Sequence, residues 1–122
     1  FKNKIITFLG VTFKPNTDDM REASSIPMIK FLNKKNSNIR YYDPSGEKDE
    51  FKKLKNVEYC KNISSACFNS DLVILHTEWN DFKLLNFKKL VKKTKFKIFD
   101  MRNIYSPSKM KNLKINYFGI GR

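Results

Sequence analysis

Leu72-Val73-Ile74-Leu75, running into His76-Thr77-Glu78-Trp79, decides the fold. Four apolar residues in a row, Val73 and Ile74 β-branched, leave no wet face and predict a short strand buried on both sides. Strands covered on both sides belong to parallel sheets, whose connections are helices. Toward the N-terminus, Ile5-Ile6-Thr7-Phe8-Leu9 stops at Gly10, and Ile39-Arg40-Tyr41-Tyr42 is stopped by Asp43-Pro44. Toward the C-terminus, Phe96 to Phe99 ends at Asp100, and Ile115 to Phe118 closes the sheet. Val57-Glu58-Tyr59 adds a minor strand.

The intervening segments read as helices. Ser24 or Ser25 caps the first, with Pro27 in its opening turn and Lys34 and Lys35 at the negative end of its dipole. Met28, Ile29, Phe31 and Leu32 form its apolar face. Glu47 to Lys55, with Phe51 and Leu54, is a short amphipathic stretch, and Ile63 to Phe68 is capped by Asn62 or Ser64. Trp79 to Lys93 is a longer helix with Phe82, Leu85, Leu90 and Val91 inward, and Pro107 to Asn112 makes a helical turn. Strands alternating with helices predict a single-domain α/β fold with a doubly wound, mainly parallel sheet. Ligands of such sheets bind beyond the carboxyl ends of the strands. Four polar clusters fall there: Phe13-Lys14 with Arg21, then Asp43, Thr77-Glu78 and Arg102-Asn103.

The 122 residues fit one domain and bury roughly two-thirds of their unfolded surface, so a core needs no disulfide or metal. With 40% hydrophobic and 30% charged residues, the chain is neither disordered nor collagen-like. Its apolar runs are too short for a bilayer and no signal peptide is visible, which predicts a cytoplasmic protein without a membrane partner. Phe1, standing where a Met would open a complete chain, reads as the start of a piece cut from something longer. Cys60 and Cys67 have no metal-ligand spacing with the single His76; they read as structural thiols, and His76 as a packed or rim histidine.

The net charge of +13 comes almost wholly from Lys, with Arg only at 21, 40, 102 and 122. Abundant Lys, Asn, Ile and Phe are what an A/T-rich coding sequence produces, so the charge reads as a solvated surface, not a nucleic-acid site. A basic, non-catalytic nucleic-acid-binding α/β module is the alternative of another class, and salt dependence separates it.

Thr12 to Arg21 is a long loop for a compact domain, and long loops carry function more often than connection. Gly10 and Asp43 imitate the start of a dinucleotide site, but such a site needs several glycines and this turn has one. Asp43, standing before Pro44, is explained as a turn initiator. The fold is therefore Rossmann-like without a complete cofactor site. Asp18-Asp19 lack further oxygen ligands and are expected to cap a turn or pair with Arg21. Trp79 reads as a core anchor at a strand-to-helix corner.

Gly10 to Ser24, Tyr42-Asp43-Pro44, Thr77-Glu78-Trp79 with Phe82, Phe99-Asp100-Met101-Arg102-Asn103-Ile104-Tyr105 and Gly119-Ile120-Gly121-Arg122 share one further property. In order and spacing they resemble the C-terminal, UDP-binding domain of the UDP-glucose 6-dehydrogenases, within the nucleotide-sugar dehydrogenases that include GDP-mannose dehydrogenase. The resemblance covers essentially the whole chain. It implies residues 1–122 of a longer enzyme that oxidises UDP-glucose to UDP-glucuronate with two NAD and a cysteine nucleophile. That cysteine, the glycine-rich NAD loop and a central helix precede the domain in the family, so no catalytic residue and no activity are expected of these residues alone.

The same resemblance places Phe13 and Lys14 against the nucleotide-sugar and Arg102 on the substrate, reaching the partner subunit's site in dimeric members. Arg21 is placed against the pyrophosphate of NAD, which the N-terminal domain mainly binds. The implied partners are UDP-glucose, NAD, the enzyme's own N-terminal domain and, at full length, a second copy; without the central helix a monomer is expected. A UDP-N-acetylmannosamine or GDP-mannose dehydrogenase domain is the alternative within the class. A diphosphate ligand needs cations, and two of the four arginines stand at these positions despite the Lys bias.

Overall fold

The computed structural model describes residues 2–90 and 97–121. Six strands, β1 (Ile5–Leu9), β2 (Asn38–Tyr42), β3 (Val57–Tyr59), β4 (Leu72–Leu75), β5 (Lys97–Asp100) and β6 (Asn116–Gly119), form one sheet in the order β3-β2-β1-β4-β5-β6. Every pairing is parallel. The helices are α1 (Ser25–Lys34), α2 (Asp49–Lys52), α3 (Ile63–Cys67), α4 (Phe87–Leu90) and α5 (Pro107–Asn112). The chain starts at the centre, winds to one edge, returns beside β1 and winds to the other. This is the doubly wound, Rossmann-like arrangement the strand pattern predicts.

Each face of the sheet has its own core. Ile6 and Phe8 pack with Ile29 and Leu32 of α1, Ile39, Tyr41, Phe51 and Ile74. Leu9 joins Val73, Leu75, Phe82, Phe87, Ile98 and Met110 on the other side. Alternate residues of β1 and β4 thus feed opposite layers, and each large side chain fully buried this way contributes about 1.5–3 kcal/mol. Thr7, buried among them, is satisfied by its hydroxyl bond to the Ala66 carbonyl at 2.6 Å.

Three helical expectations need correction. The segment from Trp79 is not one helix: a 3-10 turn at Asn80–Phe82 and α4 replace it, while Val91 to Lys93 lie outside the described residues, as does Phe96. Phe82 and Phe87 are both buried, yet residues five apart on one helix point roughly 140° apart, so burying both breaks the helix. Phe31 is 56% exposed, off the Ser25-Ile29-Leu32 stripe that α1 buries, with the Lys35 ammonium 5.5 Å from its ring centroid. Ser24 holds the N-cap position of α1 without a capping bond, because its hydroxyl is used elsewhere.

Candidate functional site at the switch point

The connections from β1 and β4 lead away in opposite directions, which opens a crevice between their carboxyl ends. Gly10 makes the near wall. Its φ of +78° suits glycine, and a Cβ there would lie 2.6 Å from the Thr77 Cβ. The loops after β1 and β4 therefore touch. Thr77 Oγ1 donates to the Thr12 carbonyl at 2.9 Å and fastens one loop to the other.

Asp43, at the end of β2 and fully buried, faces the same turn. One carboxylate oxygen accepts the Val11 and Thr12 amides at 2.8 and 3.3 Å, and the other accepts the Ser45 amide and hydroxyl at 2.9 and 2.6 Å. The turn-initiating role is present, and a larger one accompanies it. In a dinucleotide site the amides after the first glycine face the pyrophosphate. Here a carboxylate takes them, so these residues do not fit a glycine-cradled dinucleotide.

The loop beyond closes on itself. Phe13 donates its amide to the Asp19 carbonyl at 3.0 Å, and Thr12 Oγ1 donates to the Lys14 carbonyl at 2.9 Å. Val11 and Met20 pin its two ends into the core. Phe13 is 45% exposed and Lys14 is exposed, with its ammonium bound by no described residue. Arg21 lies at the far end, its guanidinium held by Asp19 at 3.1 and 3.0 Å, and this bond keeps the Asp19 carboxyl below its ordinary range.

Arg102 enters from the loop after β5. Its amide donates to Asp100 at 3.0 Å, and Asp100 also accepts from the Tyr105 amide and the Tyr117 hydroxyl. Its Nε donates to the His76 carbonyl at 2.8 Å and lies 3.6 Å from Glu78. The terminal guanidinium nitrogens bond to no described residue. Lys14 and Arg102 thus stand on two loops linked through Thr12, Thr77 and His76.

His76 is fully buried, not a rim residue, with Nε2 2.8 Å from Ser24 Oγ and Nδ1 3.0 Å from Thr77 Oγ1. Burial first, then the Arg102 charge, lowers its pKa to about 4, and the ring is neutral. Cys60 and Cys67 are buried with thiols raised by burial, Cys67 to about 12, in keeping with structural roles. Trp79 packs in the core as expected. Among the described residues no His, Cys, Asp and Glu cluster could hold a metal, and no helix is long and apolar enough to cross a membrane.

Phe13, Lys14, Arg21 and Arg102 stand at this edge as the sequence pattern predicts, and so does Thr77, though its fastening role and those of Thr12, Ser24, His76 and Asp100 are not legible there. The Thr-Glu-Trp stretch and the Asp ending β5 were the available signals, but their partners lie 65 residues away for Thr77 and 17 for Asp100.

Fold and site together define a Rossmann-like α/β domain whose first turn lacks a glycine cradle. Residues 7–107 match the UDP-glucose/GDP-mannose dehydrogenase family, UDP binding domain, and the chain belongs to that family. It is 36% identical over 98% of its length to UDP-glucose 6-dehydrogenase of Rickettsia felis, and 38% identical over 98% to that of Bacillus subtilis. The chain spans 28% of the length of each of these curated relatives. Among solved structures, an NDP-N-acetyl-D-galactosaminuronic acid dehydrogenase from Methanosarcina mazei superposes with a TM-score of 0.84 at 24% identity, over 99% of this chain and 25% of that one. A UDP-glucose dehydrogenase from Pyrobaculum islandicum gives 0.74 at 23% identity, over 98% and 26%. At these identities the superpositions speak for the fold.

Proposed function

We propose that this chain is the C-terminal nucleotide-sugar-binding domain of an NAD-dependent UDP-glucose 6-dehydrogenase, which oxidises UDP-glucose to UDP-glucuronate. The Asp43 carboxylate on the Val11 and Thr12 amides carries the reading. It closes the backbone route to phosphate and leaves the exposed Lys14 ammonium and the terminal nitrogens of Arg102, whose Nε is held by the His76 carbonyl, as the anion-binding groups of the crevice. Phe13 offers an exposed aromatic face beside them. Arg21, at the outer end of the loop, contacts the NAD pyrophosphate from the side, while another domain of the enzyme binds the cofactor. The names of the relatives support UDP-glucose over other nucleotide-sugars. The enzyme works in the cytoplasm as a homodimer, and the 122 residues alone are monomeric and inactive.

Calorimetry on the 122-residue chain tests the reading. UDP and UDP-glucose should bind, with GDP-mannose and NAD weaker. Preference for GDP-mannose, or DNA affinity that survives moderate salt, would overturn it.

A further inference from the structure

We propose that His76 is a positioning residue: a buried imidazole in its Nδ1–H form that sets the Lys14 loop against Arg102. Hydrogen-bond direction fixes the tautomer. Thr77 has a single hydroxyl proton, and it goes to the Thr12 carbonyl, which can only accept. Toward His76 Nδ1, 3.0 Å away, Thr77 Oγ1 must then accept, so Nδ1 carries the proton. Nε2 of the neutral ring is left as an acceptor, and the Ser24 hydroxyl donates to it at 2.8 Å. The chain runs in one sense: Ser24 to His76, His76 to Thr77, Thr77 to Thr12.

Every link has a cost elsewhere that a merely convenient contact would not bear. Ser24 gives up capping α1, and the loops approach so closely that Gly10 has no room for a Cβ. The charged groups that act on the ring are Arg102 and, opposing it, Asp43; the Gly10 carbonyl beside it also favours a ring N–H. The far end of the chain is Thr12, whose own hydroxyl holds the Lys14 carbonyl, and the His76 carbonyl takes Arg102 Nε. One residue therefore stands behind both cations: its ring braces the Thr77–Thr12 link to the Lys14 loop, and its backbone carbonyl, on the segment the ring anchors, takes Arg102. Nothing in this role requires it to touch the ligand.

The inference rests on the proposed nucleotide-sugar site for its functional half and stands apart from it for its structural half. Because His76 is the only histidine, nitrogen-15 NMR of the labelled 122-residue chain reports one imidazole. A neutral pattern protonated at Nδ1 is expected, and one protonated at Nε2 would overturn the proposal. UDP binding by calorimetry then compares the native chain with Ser24→Ala, His76→Asn and His76→Gln. Asn keeps a donor near the Nδ1 position, so His76→Asn should retain more affinity than His76→Gln, which loses about fivefold. Ser24→Ala should move the Nε2 resonance and weaken UDP by a few-fold. Native affinity in all three variants would overturn the positioning role. If the native chain itself fails to bind UDP, the functional reading falls, and the NMR result still decides the tautomer and hydrogen-bond order.

Discussion

The carboxylate of Asp43, just past the end of β2, accepts the Val11 amide at 2.8 Å and so occupies the turn where a dinucleotide site would open to phosphate. Asp43→Ala leaves the Val11 and Thr12 amides buried without this acceptor. Urea denaturation should show a loss of about 2–3 kcal/mol. NAD affinity should not appear in its place, because the turn still has one glycine. An unchanged midpoint would mean that the loop finds other partners at no cost.

Acid should weaken the fold through His76. Burial holds its pKa at about 4, against 6.5 for a free imidazole. Between these values the unfolded chain takes up a proton that the folded chain refuses. The stability the neutral ring contributes is complete above about pH 6.5 and is lost as pH falls toward 4, by about 3 kcal/mol in all. The difference in unfolding free energy between the native chain and His76→Gln, taken from urea curves across this window, should change by that amount as the native chain loses stability. Parallel profiles would mean that the imidazole titrates alike in the folded and the unfolded chain, so that burial does not hold it neutral.

How much of this was legible in the sequence depended on the range of the interaction. Strand β4 is legible because a doubly buried strand has no polar alternate, and β1 because its β-rich run ends at Gly10. The long loop stood out by length and turn residues, and Lys14 and Arg102 by following strand ends. Phe31 misled because an apolar residue at near-helical spacing looks inward until a partner surface is known. Trp79 to Lys93 misled because apolar count hid the five-residue spacing of Phe82 and Phe87. The hydrogen bonds that assemble the crevice join residues far apart in the chain, and a serine before a helix gives no sign that its hydroxyl serves a histidine 52 residues on.

Lys14 and Arg102 should separate from each other in the full-length enzyme. Lys14→Ala removes an exposed ammonium that no described residue hydrogen-bonds and should lower kcat/KM for UDP-glucose about ten- to a hundredfold with little change in melting temperature. Arg102→Ala should lose a similar factor. Arg102→Lys should not restore it, since a single ammonium cannot hold the His76 carbonyl and still present a planar fork to the ligand. Recovery by Lys would reduce Arg102 to a point charge.

Arg21 is the case in which geometry divides two roles. Its side chain is 89% exposed, and Asp19 grips the guanidinium through Nε and one terminal nitrogen. An ion pair this open looks like a loop fastener, but the loop is fastened by other means. Phe13 to Asp19 is a backbone bond, Asp19 is held by the Thr17 hydroxyl, and the Arg21 amide reaches the Asp19 carboxylate whatever side chain it carries. Arg21→Ala therefore leaves Phe13 and Lys14 in place. In the full-length enzyme the KM for NAD should rise about ten- to a hundredfold, the loss of a charge-assisted contact, while UDP-glucose binding stays near native. Asp19→Ala should raise the same KM by less, because it frees the guanidinium without removing it. Calorimetry with each ligand on each variant decides: equal losses for NAD and UDP-glucose in Arg21→Ala would assign the residue to the loop and not to the cofactor.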